Sequence, residues 1–379
     1  MSTGRPSGAD SSEAGRLLLE WYDKRRRSLP WREDPSPYHI WISEIMLQQT
    51  RVEAVRGFYA RFLENLPDIR ALAEADEDTC LKLWEGLGYY SRVRNLRRAA
   101  KEIVSRYEGR MPGTSEELKK LPGIGSYTAA AIASIAFGEK VPAVDGNLLR
   151  IFSRLTLYED DIRKPAAMRS AERFYLGVMP DDRPGDFNQA LMDLGAGICT
   201  PREGPSCLSD PTDCPLNPFC RAFAAGRCRS LPVMPVKRDR RKEKKTILVI
   251  RSGDRILLHR RPQRGLLAGL WEFLNEEGWL TAEEAVRRAR SCGFEPLRIS
   301  ALPDARHIFT HREWLMHGFL ITAGSFPEPD TGDWQYCVKD HHEKGEALTL
   351  AKLSELQDKY AIPSAYSTYL AALYCENDL

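Results

Sequence analysis

Two carboxylates stand out in the 379 residues for their surroundings. Glu44 lies in the run Ile40-Trp41-Ile42-Ser43-Glu44-Ile45-Met46-Leu47. Apolar neighbours desolvate a carboxyl and disfavour its charged form, so its pKa should rise. An acid still protonated near neutral pH can hand a proton to a leaving group. The plain alternative is a helix-face Glu paired with Arg51, and the residues alone divide the two readings evenly. Asp145 lies in Val141-Pro142-Ala143-Val144-Asp145-Gly146-Asn147. An Asp between an apolar run and a Gly reads first as a helix cap. Upstream, Leu121-Pro122-Gly123-Ile124-Gly125-Ser126-Tyr127-Thr128 separates two helical patterns, Glu116–Lys120 and Ala129–Ala136. A helix that begins at once after such a turn presents free N–H groups, which bind anions such as a DNA phosphate. Gly123 and Gly125 permit close backbone approach. An ordinary αα-hairpin is the alternative, but the whole string favours phosphate binding.

A third group is made of sulfur. Five of the nine cysteines lie between Cys199 and Cys228. An odd total with local clustering argues against a secreted disulfide framework and for metal or iron–sulfur ligation. The order is Cys199-x7-Cys207-x6-Cys214-x5-Cys220, with Cys228 beyond. Zinc is the rival metal for four thiolates, and no His lies within the patch. The isolated Cys80, Cys292, Cys337 and Cys375 read as packing residues.

These groups need elements to hold them. The length suggests about two or three domains. No apolar run approaches the ~20 residues that a bilayer requires. Residues 1–12 are small and polar and read as a disordered tail without signal or transit character, which points to a cytoplasmic protein. Residues 13–198 read as helical from spacings such as Leu17, Leu18, Trp21, Tyr22 and Val52, Val55, Phe58, Tyr59, Phe62. The Cys/Pro-rich module spans 199–228, and a basic interdomain linker spans 229–245. The net charge of +2 hides an asymmetry: 40 basic against 34 acidic residues through position 245, then 15 against 19. Much of it sits in Lys237–Lys245, which reads as a solvated linker, with phosphate contact as the alternative. Residues 246–379 read as an α+β domain. Thr246–Ile250 and Arg255–His259 flank a hairpin turn at Ser252-Gly253-Asp254. Further strands are expected at Trp314–Ile321 and Tyr336–Val338, and helices near Ala282–Cys292 and Ser364–Tyr374.

The hairpin with its downstream Asp resembles the helix-hairpin-helix base-excision glycosylases. Trp41-Ile42-Ser43-Glu44-Ile45-Met46-Leu47-Gln48-Gln49-Thr50 and Gly86-Leu87-Gly88-Tyr89-Tyr90-Ser91-Arg92 narrow the resemblance to the MutY family of adenine DNA glycosylases, over residues 16–321. That family implies two domains: a mainly α helix-hairpin-helix glycosylase domain with an iron–sulfur module, then an α+β Nudix-like domain. It implies a [4Fe–4S] cluster on Cys199, Cys207, Cys214 and Cys220, although Ser209–Thr212 looks like an insertion in the family spacing. Glu44 falls on the general acid that protonates adenine. Asp145 falls on the ionised carboxylate that stabilises oxocarbenium character. Tyr127 and Asn147 support them. Lyase-competent relatives carry a lysine nucleophile where Tyr127 stands, so a monofunctional glycosylase is implied.

By the same resemblance Arg27, Leu29, Trp31, Arg32 and Leu47 form the adenine pocket, and Gln49 and Tyr89 wedge into the duplex while the base is flipped out. On the residues alone, RRRSLPWR is a basic loop anchored by one buried Trp, and Tyr89-Tyr90 a packed corner. Gln189 stands at the pocket wall with its role open. Arg260-Arg261-Pro262 through Gly269–Phe273 resembles a Nudix-like fold. The Ala282–Cys292 segment lacks the carboxylate-rich helix a Nudix hydrolase needs, so pyrophosphohydrolase activity is not expected. Phe309-Thr310-His311 matches the family's Phe-Ser-His loop that reads 8-oxoguanine. The implied partner is duplex DNA with adenine opposite 8-oxoguanine or guanine, met by a nucleoid-associated monomer. The rivals are a bifunctional glycosylase/lyase for oxidised pyrimidines and a non-catalytic DNA-binding module.

Overall fold

The computed structural model describes residues 8–201, 204–234, 239–324 and 347–375. They divide into two compact units, one of residues 1–74 with 95–236 and one of residues 75–94 with 237–379.

The first unit is helical. It opens with α1 (Gly8–Arg25), α2 (Pro30–Glu33), α3 (Pro37–Leu47), α4 (Val52–Asn65) and α5 (Ile69–Glu74). After α6 (Glu77–Leu83), which belongs to the second unit, come α7 (Ser91–Arg106), α8 (Ser115–Leu118), α9 (Ser126–Phe137), α10 (Gly146–Thr156), α11 (Pro165–Val178), α12 (Pro184–Gly197) and α13 (Arg221–Ala224). Start signals set these boundaries. Proline opens α3, α11 and α12, where its missing N–H costs nothing. Ser36, Thr114 and Asp145 cap α3, α8 and α10 through their side chains. One core gathers Leu18 and Tyr22 of α1, Leu148 of α10, Tyr175 of α11 and Phe187 and Leu191 of α12. Helix α9 reads SYTAAAIASIAF, and its residues from Thr128 to Ser134 are all buried. A helix without a polar face is enclosed on every side. Its small side chains admit close neighbours: a Cβ on Gly185 of α12 would meet the Ser134 carbonyl at 2.7 Å.

The expected tail needs correcting. Residues 8–12 belong to α1, and residues 1–7 lie outside the described ones. The amphipathic stretch around Leu17–Tyr22 nucleates the helix, and propagation adds one hydrogen bond per residue, which carries it back through Gly8–Ser12 despite their modest helix propensity.

The second unit holds a sheet of strands β1 (Arg241–Ser252), β2 (Arg255–Arg260), β3 (Trp271–Glu272), β4 (Leu274–Glu277), β5 (Pro296–Ile308), β6 (Arg312–Ala323) and β7 (Ala347–Lys352). The order is β3-β2-β1-β6-β5, with β4 on β1 and β7 on β2. β1 and β6 run parallel; the other pairs are antiparallel. Period-two alternation gives each strand two faces. Ile247, Val249 and Trp314 pack beneath Tyr366 and, from the C-terminal helix α15 (Ser367–Cys375), Tyr369 and Leu373. Leu248, Ile250 and Phe319 pack against Ala285 and Ala289 of α14 (Ala282–Ser291). The result is a sheet between two helical layers.

Three further differences from the sequence reading emerge. The linker assigned to 229–245 is partly strand: residues 241–245 pair with residues 312–316, because the apolar Thr246–Ile250 run extends backwards along β6. Residues 235–238 lie outside the described ones. Strands β5 and β7 were not expected. β5 is largely exposed and is interrupted at a bulge around Pro303 and Asp304, which breaks the strand signal there. The strand expected at Tyr336–Val338, with Cys337, lies outside the described residues. Lastly, residues 75–94 group with the second unit. The Lys82 ammonium donates to the Tyr360 carbonyl at 3.1 Å, the Glu85 carboxylate accepts from Ile362 N at 2.8 Å, and Arg260 pairs with Asp78 at 2.5 Å.

Candidate active site

Glu44 sits in the last turns of α3, where every residue from Ile40 to Met46 is buried. Its Oε2 is buried without a hydrogen-bond partner among the described residues. Burial pushes the carboxyl up to about 7. The Tyr127 hydroxyl, which donates to it, opposes that rise; the Asp145 charge adds to it; Arg32 lowers it. The pairing with Arg51 is not formed in this way: Arg51 is exposed and stands outside α4 as its N-cap.

Tyr127 is the second residue of α9. Burial raises its hydroxyl well above the ordinary range, and the Glu44 and Asp145 charges add to the effect. The proton therefore stays on the phenol. Met192 of α12 closes over the same hydroxyl, with its sulfur 3.9 Å away.

Asp145 is both the cap and a member of this group. Its Oδ1 accepts from the backbone N–H of Asn147 and Leu148, each at 2.8 Å, and its Oδ2 accepts from the Asn147 amide at 3.0 Å. Arg150 donates to the Asn147 oxygen at 3.0 Å and fixes the amide's orientation. Burial raises the Asp145 carboxyl above its ordinary range, although those donors and the Arg150 charge oppose the rise. The structure shows Asp145 as the cap of α10 and places the same carboxyl close enough to Glu44 and Tyr127 to influence both.

Two residues that sequence reasoning missed hold this arrangement. Asn188 of α12, fully buried, accepts from Ala143 N at 3.0 Å and donates to Ser134 Oγ at 2.8 Å and the Val141 carbonyl at 2.9 Å. It thereby ties the segment leading to Asp145 onto α9 and α12. Asp193 binds both arginines expected in the base pocket: Arg27 Nε at 2.7 Å, and Arg32 Nη1 and Nη2 at 2.8 and 3.0 Å. Burial would raise its carboxyl, but Arg32 and Arg27 outweigh that and hold it below the usual range. Its stabilisation is therefore present above the unfolded carboxylate pKa and fades as pH falls through the lower folded value. We expect Asp193→Ala to cost about 3 kcal/mol at pH 7 in urea denaturation, because two guanidiniums lose their counter-ion. Leu29 and Trp31 are core residues, with Trp31 edge-on to Tyr59 at 5.4 Å. Leu47 stays partly open at the end of α3, and Gln189 is half-buried on α12.

The hairpin has the expected form. Gly123 takes φ +77°, and a Cβ there would meet Asn95 Cβ at 2.5 Å. Gly125 caps α9 without a side-chain acceptor, and nothing among the described residues crowds it. The first-turn N–H groups of α9 have no intrahelical carbonyl. Gln48 of the α3 exit donates to Thr128 at 3.1 Å, and exposed Gln49 beside it is held at φ +57°.

All five clustered cysteines line one cavity with Ile151, Arg154, Leu194 and Leu216. Arg154, buried, donates to Cys199 Sγ at 3.1 Å and the Thr200 carbonyl at 3.0 Å. Burial raises the thiols of Cys207, Cys214 and Cys220, and neighbouring cysteines add to each shift. The inserted Ser209–Thr212 is absorbed by a self-capped turn, Asp210 accepting from Thr212 N at 2.9 Å. No group of three or more His, Cys, Asp or Glu among the described residues is arranged around a single-ion site.

In the second unit two distant motifs meet. Tyr89 OH and Thr310 Oγ1 lie 2.6 Å apart. Tyr89 is 47% exposed at φ +49°, in a turn that Arg92 ties down through the carbonyls of Leu87 and Gly88. Phe309, Thr310 and His311 form the turn between β5 and β6. Phe309 packs edge-on against His307 at 4.6 Å and Trp314 at 4.8 Å, which leaves Thr310 and His311 outward. On α14, Glu284 is committed to a capping box with Thr281.

Residues 42–175 match the family model described as HhH-GPD superfamily base excision DNA repair protein, and residues 246–372 match the NUDIX domain. An Arabidopsis thaliana protein named adenine DNA glycosylase is 39% identical over 315 residues, 72% of this chain and 48% of that protein. The Schizosaccharomyces pombe protein of that name is 33% identical over 377 residues, 81% of each chain. The chain thus spans about half the length of the plant relative. Among solved structures, a thermostable thymine-DNA glycosylase superposes with a TM-score of 0.51 at 27% identity, over 58% of this chain and all of that one.

Proposed function

The chain belongs to the adenine DNA glycosylase family, and on that premise we propose that it hydrolyses the N-glycosidic bond of adenine paired with 8-oxoguanine or guanine in duplex DNA, without a lyase step. The observation that carries this is the buried Glu44 carboxyl, poised near pH 7 beside Tyr127 and Asp145. With adenine flipped into the site, the C–N bond breaks as Glu44 passes its proton to the departing base. The electron pair leaves with adenine, and positive charge grows on the deoxyribose. Asp145, held by its three N–H donors, stabilises that charge as a carboxylate. Water then adds to the sugar carbon, its proton returns to Glu44, and an abasic site remains. Tyr127 stands where a lyase would place its amine, which supports the monofunctional reading.

The exposed turn at Gly123 and Gly125 supports a phosphate contact. The left-handed backbone at Gln49 and Tyr89 supports the wedge assignment, since strain of this kind persists where function holds it. The donor set fits a [4Fe–4S] cluster: Cys199, Cys207, Cys214 and Cys220 would hold it, and when bound it would cross-link a loop that has little regular structure.

The test pairs adenine with 8-oxoguanine, guanine or thymine in otherwise identical duplexes, followed by alkaline cleavage of abasic sites. Excision confined to the first two, without efficient borohydride trapping, is the expected result; obligatory Schiff-base trapping would favour the bifunctional rival. The Tyr89–Thr310 contact adds an expectation. Thr310→Ala and Tyr89→Phe each remove one hydroxyl from that pair, so each lowers the preference for 8-oxoguanine over guanine by roughly tenfold. Single-turnover rates on the two duplexes check this.

A further inference from the structure

A cluster of four irons takes four thiolates, yet five cysteine side chains line the cavity. The fifth arrives there by a definite route. Cys220 caps the short helix α13. After Ala225 the chain reverses at Gly226, whose φ of +66° is left-handed. Gly226 N donates to the Phe223 carbonyl at 3.0 Å and Arg227 N to the Ala222 carbonyl at 2.7 Å, a glycine-terminated helix end. That reversal carries Cys228 back along α13 into the buried cluster against which Cys220 packs. Cys228 is 1% exposed, packed with Ala222 and Leu231.

We propose that Cys228 is a second thiolate for the cluster corner held by Cys220, one that takes over that position when Cys220 is lost. This rests on the reading that the cavity holds an iron–sulfur cluster. Three observations favour Cys220 as the position shared. Cys220 packs against the buried cluster that contains Cys228, so exchange needs a side-chain rotation rather than a loop movement. Both line the cavity directly. The route between them is a closed turn, which keeps Cys228 in place when Cys220 is altered. The competing role is filler: free cysteine also behaves as a small apolar residue, and Cys228 borders an apolar cluster.

Iron and acid-labile sulfide per chain separate these roles without reference to catalysis. The full chain and its Cys228→Ala, Cys220→Ala and Cys220→Ala/Cys228→Ala variants are purified anaerobically, with circular dichroism recorded on each. Cys228→Ala should load as the parent does. Cys220→Ala should keep more than about half of its iron, and the double variant less than about a tenth, because thiolate donors set the metal affinity. Cys220→Ser and its double counterpart repeat the comparison with a polar side chain of similar size should alanine unfold the loop. Iron as low in the Cys220 single variants as in the doubles would overturn the proposal and leave Cys228 as filler. A parent chain without iron and sulfide would overturn the cluster reading itself, a distinct outcome in which all variants read alike.

Discussion

Glu44→Gln lowers the rate of adenine excision by roughly 10³-fold or more, while the variant still binds mispaired duplex with near-parental affinity. Glutamine keeps the volume and a hydrogen-bond acceptor for Tyr127 but has no acidic proton. Single-turnover excision and a binding titration on the same duplex read the two effects apart. Equal loss of both would point to a structural role for Glu44, and unchanged turnover would defeat the acid assignment. Two pH signatures accompany it. The parent needs the neutral acid, so its rate falls as pH rises through about 7, and the variant lacks that limb. Stability moves the same way. Because the folded acid titrates near 7 and the unfolded one near 4.5, the native state holds the extra proton between those values. Stability therefore declines as pH climbs through the window, by up to about 3 kcal/mol from this group. Urea denaturation at several pH values should show a shallower decline for the glutamine variant.

Asp145→Asn is expected to be nearly as damaging to excision, again roughly 10³-fold, for a different reason. Asparagine is as good a cap as aspartate, so α10 keeps its start and the fold changes little. What is lost is the negative charge that the proposed mechanism sets against the sugar. Asp145→Ala should lose the rate and also about 1 kcal/mol of stability, since the N–H groups of Asn147 and Leu148 lose their acceptor. Thermal melts beside excision rates distinguish the two substitutions. An asparagine variant that excises at the parental rate would remove Asp145 from the chemistry.

The parts of the site legible in sequence are those encoded locally. The apolar run around Glu44, the glycine turn before Tyr127 and the hairpin at Ser252–Asp254 each carry their signal within a dozen residues, and each forms as expected. Asp145 was legible as a cap and ambiguous as anything more, because the cap is local and its nearness to Glu44 is not. Asn188 and Asp193 were not legible at all. Asn188 acts on residues 45 and 54 positions away, and Asp193 on arginines 161 and 166 positions away. No local pattern marks such partners. Asp193 also changes what Arg27 and Arg32 offer: most of their donors face a carboxylate rather than open space. The strands β5 and β7 escaped for other reasons: Pro303 interrupts β5 at a bulge, and β7 is a six-residue run held by its pairing to β2.

The parallel register of β1 on β6 places a limit on where the two halves of this chain can be separated. A fragment starting at Thr246, where hydropathy changes, would strip residues 312–316 of the neighbour they bond along one side. That would open a strand edge immediately after the Thr310 turn, and bare edges invite association between molecules. Deleting one residue inside Arg241–Lys245 would be no gentler, since it would invert the facing of the basic side chains relative to the sheet. Swaps, fusions or length changes intended to keep the Thr310 turn intact therefore belong ahead of Arg241.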